Sequence, residues 1–269
     1  MTPKPHANLA DEMLSKAPQA TLMFWLVKIC ATTVGETGGD AVSMSLNLGY
    51  VVATGIFVAF FVVTLAAQVI ARRYHPLSYW LLVVATTTVG TTTSDMIDRT
   101  FHMGYVKSSA VLFTLVILVL LAWRLTTGAI RSDRITNRRD EIFYWLTILV
   151  SNTLGTALGD FTADSTGLNL GFEKGALLFG ALILVVALVH RFRWLPQAIL
   201  FWAAYVLTRP LGATLGDTLT KPLKMGGLNL DRFEATAAIA LVMVVLVLLS
   251  PKLRRPAEVQ PPDAPPSAA

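Results

Sequence analysis

The stretch Thr32-Thr33-Val34-Gly35-Glu36-Thr37-Gly38-Gly39-Asp40 places two acidic side chains inside an apolar segment, and related stretches recur three more times in the chain. Every copy follows the pattern Trp-x9-Gly-x4-Asp, and the copies are Trp25/Gly35/Asp40, Trp80/Gly90/Asp95, Trp145/Gly155/Asp160 and Trp202/Gly212/Asp217. An aromatic residue precedes each tryptophan, and a small residue precedes each aspartate. A spacing that is kept without slip in four copies indicates an internal repeat.

The composition is typical of a membrane protein. Of the 269 residues, 54% are hydrophobic and 14% are charged, and the mean hydropathy is +0.59. Windows of about 19 residues identify long apolar segments. They predict eight transmembrane helices, near residues 20–44, 48–71, 77–97, 104–126, 141–163, 171–190, 194–219 and 231–250. The expected fold class is therefore all-α, a polytopic membrane protein.

Each repeat is predicted to hold two helices, an odd-numbered one with the motif and a plainer, even-numbered one. The predicted units are an N-terminal segment 1–19, repeats 20–75, 76–130, 141–193 and 194–251, and a disordered tail 256–269. The turn within each repeat has its own signature, which carries Asn47, His102, Asn169 and Asn229. Two spans return the chain to its starting side, so the repeats run parallel. We expect four helix hairpins around a pseudo-fourfold or nested twofold axis.

Basic residues are concentrated in the connections between repeats and after the last helix, at 72–75, 131–139, 190–193 and 252–255. With two spans per repeat, these segments share one side with both termini, and the positive-inside rule makes that side the cytoplasm. The expected location is the bacterial inner membrane, with the lipid bilayer as a partner and no nucleic acid. The first residues lack the charged and then apolar pattern of a signal peptide, so the first apolar segment is expected to stay in the mature protein.

These features resemble the bacterial "uncharacterised membrane-anchored protein" family, which is built of four tandem repeats of unknown function. Its members are described as having two transmembrane regions and a characteristic tryptophan per repeat, which matches Trp25, Trp80, Trp145 and Trp202. The resemblance covers about residues 21–251. It implies the fold and brings no established activity.

Steps of four residues stay near one face of a helix, so every odd helix carries a polar stripe. The stripes are Lys28-Thr32-Glu36-Asp40, Thr87-Thr91-Asp95-Arg99, Asn152-Thr156-Asp160-Asp164 and Arg209-Ala213-Asp217-Lys221. An ionised carboxylate at membrane depth costs at least about 2.5 kcal/mol, so these groups should face each other, a basic partner or water. Gathering the acids around one axis is repulsive unless protons or metal ions offset their charge.

The stripes therefore predict a cation site. Its candidate ligands, for a metal or another cation, are Glu36, Asp40, Asp95, Asp160 and Asp217, joined as ion-binding residues by Thr33, Thr91, Asn152, Thr156 and Arg209. Oxygen donors suit Mn²⁺, Mg²⁺, Ca²⁺, Na⁺ or H⁺. Asn47, His102 and Asn169 are expected nearby. Arg209 is either the counter-ion of the acids or a stand-in for the cation, and Lys28 is expected to snorkel to the interface.

The function predicted is transport of a small cation, a divalent metal such as Mn²⁺, with proton-coupled efflux as the suggested mode. Two alternatives stay open. One is an intramembrane scaffold or assembly protein in which small-xxx-small glycine pairs pack helices and the acids are structural. The other is a cation channel. No hydrolase, phosphate-loop or dinucleotide motif is present, so neither enzymatic activity nor a cofactor is expected. The oligomeric state is open, with a homodimer as one option.

Overall fold

The computed structural model describes residues 14–71, 74–128, 130, 135, 138–250 and 256–258. Eight long helices dominate this part of the chain: α1 Leu22–Asp40, α2 Gly49–Ile70, α3 Pro76–Asp95, α4 Tyr105–Thr127, α5 Arg138–Ala163, α6 Phe172–Arg191, α7 Gln197–Thr220 and α8 Arg232–Leu249. π-Helical turns Ala41–Ser45 and Met96–Thr100 extend α1 and α3, and the 3₁₀ turn Leu223–Met225 follows α7. These bounds confirm the eight predicted helices to within a few residues, and with them the mainly α-helical class.

Six of these helices, α2 and α4 to α8, are long and apolar enough to cross a membrane. The other two, α1 and α3, are not among these candidate spans. α1 contains Lys28, Glu36 and Asp40, and α3 contains two runs of three threonines. The length and composition of the six helices fit a multi-pass membrane protein.

The four odd-numbered helices form a closed inner ring in the order α1, α3, α5, α7 and back to α1. Each even-numbered helix lies outside this ring and packs on the odd helix of the next repeat: α2 on α3, α4 on α5, α6 on α7, and α8 on α1. The four predicted hairpins are therefore interleaved, because the two helices of a repeat pack mainly on neighbouring repeats. The ring is therefore interlocked, and no repeat buries its helices alone.

Glycines set the close spacing of the inner ring. The facing pairs are Gly35 with Thr87, Gly90 with Asn152, Gly155 with Arg209, and Gly212 with Thr32. In every pair the partner stands three residues before the motif glycine of a neighbouring repeat, so one contact is made four times around the ring. A Cβ atom at any of these glycines would overlap the facing helix. The glycines thus pack helices, as small residues do in membrane proteins.

An aromatic layer closes the tryptophan end of the ring. Its ring contacts join Phe24 with Trp80, Tyr79 with Trp145, Tyr144 with Trp202, and Phe201 with Trp25. In each contact the aromatic residue of one repeat meets the tryptophan of the next. The tryptophans therefore share one layer, as their equal spacing from the aspartates predicts.

Two short strands pair at this end, β1 Leu14–Pro18 and β2 Pro256–Glu258, and they run antiparallel. Ala17 of β1 is buried in the aromatic cluster. Lys16 Nζ lies 2.8 Å from Glu141 Oε2 at the start of α5. The prediction of a disordered tail from residue 256 is wrong for β2, whose backbone pairs with β1. The rest of that tail, residues 259–269, lies outside the described residues. The same holds for residues 1–13, 72–73, 131–134, 136–137 and 251–255 of the predicted termini and basic connections.

A left-handed residue stands in the turn of every repeat. The φ angles of Asn47, His102, Asn169 and Asn229 are 54°, 53°, 53° and 57°. Asparagine adopts this conformation more readily than most residues do. In repeat four, Asp231 then caps α8, since its side chain accepts hydrogen bonds from the amides of Phe233 and Glu234 at 2.8 and 3.1 Å. Asn47, His102 and Asn169 are exposed, and the turn explains their residue types. Their expected place near the ion site stays a prediction.

Candidate ion-binding site

A polar cluster made by all four odd helices lies in the centre of the ring. The Arg209 guanidinium donates from Nη2 to Glu36 Oε2 at 2.9 Å, to Thr91 Oγ1 at 2.5 Å and to Thr156 Oγ1 at 2.7 Å. These four residues, which we call the central cluster, are at most 3% exposed. The pairing of Arg209 with Glu36 agrees with the counter-ion role, because a charge-assisted hydrogen bond is among the strongest available to a buried carboxylate.

The four motif aspartates lie one turn further along the odd helices, and we call them the aspartate layer. Arg99 bridges two of them: its Nε lies 2.8 Å from Asp95 Oδ1 and its Nη2 lies 3.6 Å from Asp160 Oδ2. Lys221 bridges the other two, with Nζ 2.7 Å from Asp40 Oδ2 and 3.1 Å from Asp217 Oδ1. Each cation stands four residues after the aspartate of its own repeat. Because repeats two and four supply the cations, a pseudo-twofold axis is nested in the fourfold ring.

The aspartate layer holds more negative than positive charge. Its four carboxylates face Arg99 and Lys221, and Arg232 adds a weaker contact, with Nε 3.9 Å from Asp40 Oδ2. Uncompensated buried charge is costly, so such a layer favours the uptake of further positive charge. A proton or a bound cation would supply it.

One combination of carboxylates has the geometry of a metal site. Glu36, Asp40 and Asp217 each offer a carboxylate oxygen, and these oxygens lie within 4.8 Å of one another, all buried. Oxygen ligands of this type are the ones that Mg²⁺, Ca²⁺ and Mn²⁺ take. The three carboxylates already hold cations of the protein itself, since Lys221 contacts Asp40 and Asp217 while Arg209 contacts Glu36.

The pseudo-twofold axis relates this group to a weaker counterpart. Asp160 corresponds to Asp40, Asp95 to Asp217 and Arg99 to Lys221, but Thr156 stands where the first half has Glu36. The counterpart therefore lacks one carboxylate. Glu36 is the carboxylate that this group has and its counterpart lacks.

The structure brings eight of the predicted residues into the central cluster and the aspartate layer, and it places two elsewhere. Asn152 lies one turn before the central cluster, where its Nδ2 donates to Thr86 Oγ1 at 3.0 Å. The Thr33 hydroxyl donates to the Ile29 carbonyl oxygen of its own helix at 3.0 Å. These two side chains are not part of the cluster, so their assignment as ion-binding residues finds no support in its contacts.

Three basic residues take places that differ from the sequence prediction. Arg99 and Lys221 contact the motif aspartates, although the prediction of ion-binding residues does not include them. Each stands four residues after a motif aspartate, and that spacing is the signal in the sequence that identifies them. Lys28 was expected to snorkel, which is wrong. It is fully buried, and its Nζ lies 4.2 Å from the centroid of the Tyr205 ring. The aromatic layer stands one turn nearer the end of the helix and keeps Lys28 inside.

A family model described as Repeat of Unknown Function (DUF347) matches four segments of the chain, residues 23–74, 78–129, 143–193 and 200–255. Together these segments cover well over half of its length. The chain belongs to this family. Each match spans one odd helix and the even helix after it, so the family unit agrees with the repeat defined by the Trp-Gly-Asp spacing. This confirms the resemblance to a four-repeat family of unknown function. No curated protein and no solved structure matches the chain.

Proposed function

We propose that the protein is a membrane transporter of a small cation, which moves a divalent metal ion such as Mn²⁺ in exchange for protons. One observation carries this proposal: the oxygens of Glu36, Asp40 and Asp217 lie within 4.8 Å of one another inside the ring. Ionisable groups inside a membrane are costly, and they commonly mark an ion pathway. Carboxylates also bind protons, so the same oxygens can carry either ion.

The proposed topology has all eight helices crossing the bilayer. The polar helices α1 and α3 belong to the inner ring, where neighbouring helices rather than lipid contact their polar side chains. The positive-inside rule assigns the basic connections and both termini to the cytoplasmic side of a bacterial inner membrane. In this orientation the aromatic layer lies towards the cytoplasm and the aspartate layer lies towards the outer face.

The basic side chain of Lys221 suggests how the site exchanges ions. Lys221 neutralises Asp40 and Asp217 when no metal is bound, at Nζ to oxygen distances of 2.7 and 3.1 Å. An incoming divalent ion would take over these carboxylates and displace the ammonium group. Lys221 is the first residue after α7, and its side chain can rotate about its own bonds while its amide stays bound to the Asp217 carbonyl oxygen. Protons or the returning ammonium group would then replace the metal on release.

Transport in proteoliposomes tests the proposal. Purified protein is reconstituted under a pH gradient and assayed with Mn²⁺, Mg²⁺, Ca²⁺, Zn²⁺, Na⁺ and K⁺. We expect a divalent ion to move in the wild type, and we expect Glu36→Gln and Asp40→Asn to abolish that movement. Asp160→Asn is the matched control, because it removes the corresponding carboxylate from the half that lacks a glutamate, and transport should persist. If no cation moves, or if both site variants transport normally, the proposal fails.

The scaffold function is the second candidate, and the ion pairs favour it. Glu36 and the four motif aspartates each contact a basic side chain, so the described contacts alone give each acid a structural role. A scaffold predicts a different outcome for the same variants. Glu36→Gln and Asp40→Asn would then lower the yield of folded protein, and the wild type would move no ion.

A further inference from the structure

A second group of buried polar side chains lies between the aromatic layer and the central cluster. Lys28 of α1 and Arg209 of α7 are both fully buried. Within the described part of the chain, Lys28 Nζ and the Nε and Nη1 atoms of Arg209 have no hydrogen-bond partner. We propose that this region binds a small monovalent anion, of the size of a halide or nitrate, between Lys28 and Arg209.

The two cations belong to helices that pack directly on each other. Tyr205 stands one turn before Arg209 in α7, and the Lys28 ammonium lies 4.2 Å from the centroid of its ring. Arg209 uses only Nη2 for the central cluster. Its other two nitrogens therefore remain available to a ligand beside Lys28.

Charge sets the valence of the ligand. Glu36 already neutralises Arg209, at 2.9 Å, so a protonated Lys28 gives the region an excess of one positive charge. An ammonium group without an acceptor is expensive to bury, and a cation–π contact offsets only part of that cost. A monovalent anion neutralises the excess, whereas a dianion such as sulfate would exceed it.

The neighbouring polar groups also favour an anion. The Tyr205 hydroxyl and the indole N–H groups of Trp80 and Trp202 are buried without hydrogen-bond partners among the described residues. Most of these unpaired atoms are donors. Asn152 Oδ1 is an unpaired acceptor, and Asn152 occupies the position in repeat three that Arg209 occupies in repeat four. Unpaired buried polar groups point to a bound water or ion. Water could satisfy the donors, but it could not neutralise Lys28.

Thermal unfolding of the full-length protein in detergent tests the proposal. The protein is prepared in gluconate without divalent metal, and chloride, bromide, nitrate or sulfate is added at constant ionic strength. We expect the three monovalent anions to raise Tm saturably, by about 5 °C at a hundredfold excess over Kd, and sulfate to have no such effect. Lys28→Met should abolish the shift. Lys221→Met, which changes the aspartate layer instead, should keep it.

The proposal is overturned if chloride and gluconate give the wild type the same Tm, or if Lys28→Met keeps the full shift. Should Lys28→Met fail to fold, equilibrium binding of radioactive chloride to the wild type decides the matter. One saturable site per chain, competed by bromide and nitrate, supports the proposal, and the lack of saturable binding overturns it. Since no divalent metal is present, the outcome is independent of the proposed cation transport.

Discussion

Replacing Lys221 by methionine should increase the affinity of the protein for a divalent cation. The Lys221 ammonium lies 2.7 Å from Asp40 and 3.1 Å from Asp217, and it is 5% exposed as a residue. A metal ion that binds the same carboxylates has to displace it. Methionine keeps an unbranched side chain of similar length and removes the charge, so the variant removes an internal competitor.

The size of the effect follows from the strength of the displaced contacts. Two unit charges about 4 Å apart interact by about 4 kcal/mol at an effective dielectric constant near 20. Displacement recovers part of this energy, because the freed ammonium regains water or another partner. If about half of the energy is recovered, displacing the ammonium group costs the metal about 2 kcal/mol of binding free energy. The variant lacks this cost, so its Kd should be about thirtyfold lower.

Titration calorimetry with Mn²⁺ on the purified, full-length protein measures this change. Arg99→Met is the matched control, since Arg99 bridges Asp95 and Asp160, which belong to the half without a glutamate. We expect its Kd for Mn²⁺ to stay close to that of the wild type. A folded Lys221→Met variant whose affinity is unchanged or lower would refute the reasoning, because Lys221 would then not compete with the metal.

Two further variants test the packing and the central ion pair. Gly35→Ala should destabilise the protein by about 1 to 3 kcal/mol, because the new methyl group overlaps Thr87. The control Gly180→Ala adds its methyl group to open space beside α6 and should leave the stability unchanged. Thermal unfolding of both variants in detergent checks this, and equal Tm values would contradict it. Arg209→Met should cost about 3 to 5 kcal/mol, because it leaves the Glu36 carboxylate buried without its cation, and adding Glu36→Gln should recover much of that loss. A double variant no more stable than Arg209→Met would show that the two side chains are not energetically coupled.

The layers of the ring could be predicted because a helix converts sequence distance into height. Fifteen residues separate Trp25 from Asp40, a rise of about 22 Å, and equal spacing in four parallel helices places equivalent residues at equal heights. The order of the helices could not be predicted in the same way. A short turn allows an even helix to pack on its own repeat or on the next, and the glycine contacts that decide between them connect distant parts of the chain.

The errors at the candidate site have local physical causes. Thr33 is next to Thr32 in sequence, but one helical residue turns the side chain by about 100°. Its hydroxyl donates to the Ile29 carbonyl oxygen of its own helix instead of joining the cluster. The prediction that Lys28 reaches the membrane interface is wrong because an aromatic layer covers that end of the helix. Hydropathy alone does not reveal such a layer. Arg99 and Lys221 were underestimated because their second partners, Asp160 and Asp40, come from other repeats.

The central claim is that Glu36, Asp40 and Asp217 together bind a divalent cation. Electron paramagnetic resonance of Mn²⁺ bound to the purified protein tests it most directly, with Asp217→Asn compared against its pseudo-twofold counterpart Asp95→Asn. The account predicts one saturable Mn²⁺ site per chain that is lost in Asp217→Asn and kept in Asp95→Asn. No saturable binding by the wild type, or the same loss in both variants, would contradict it.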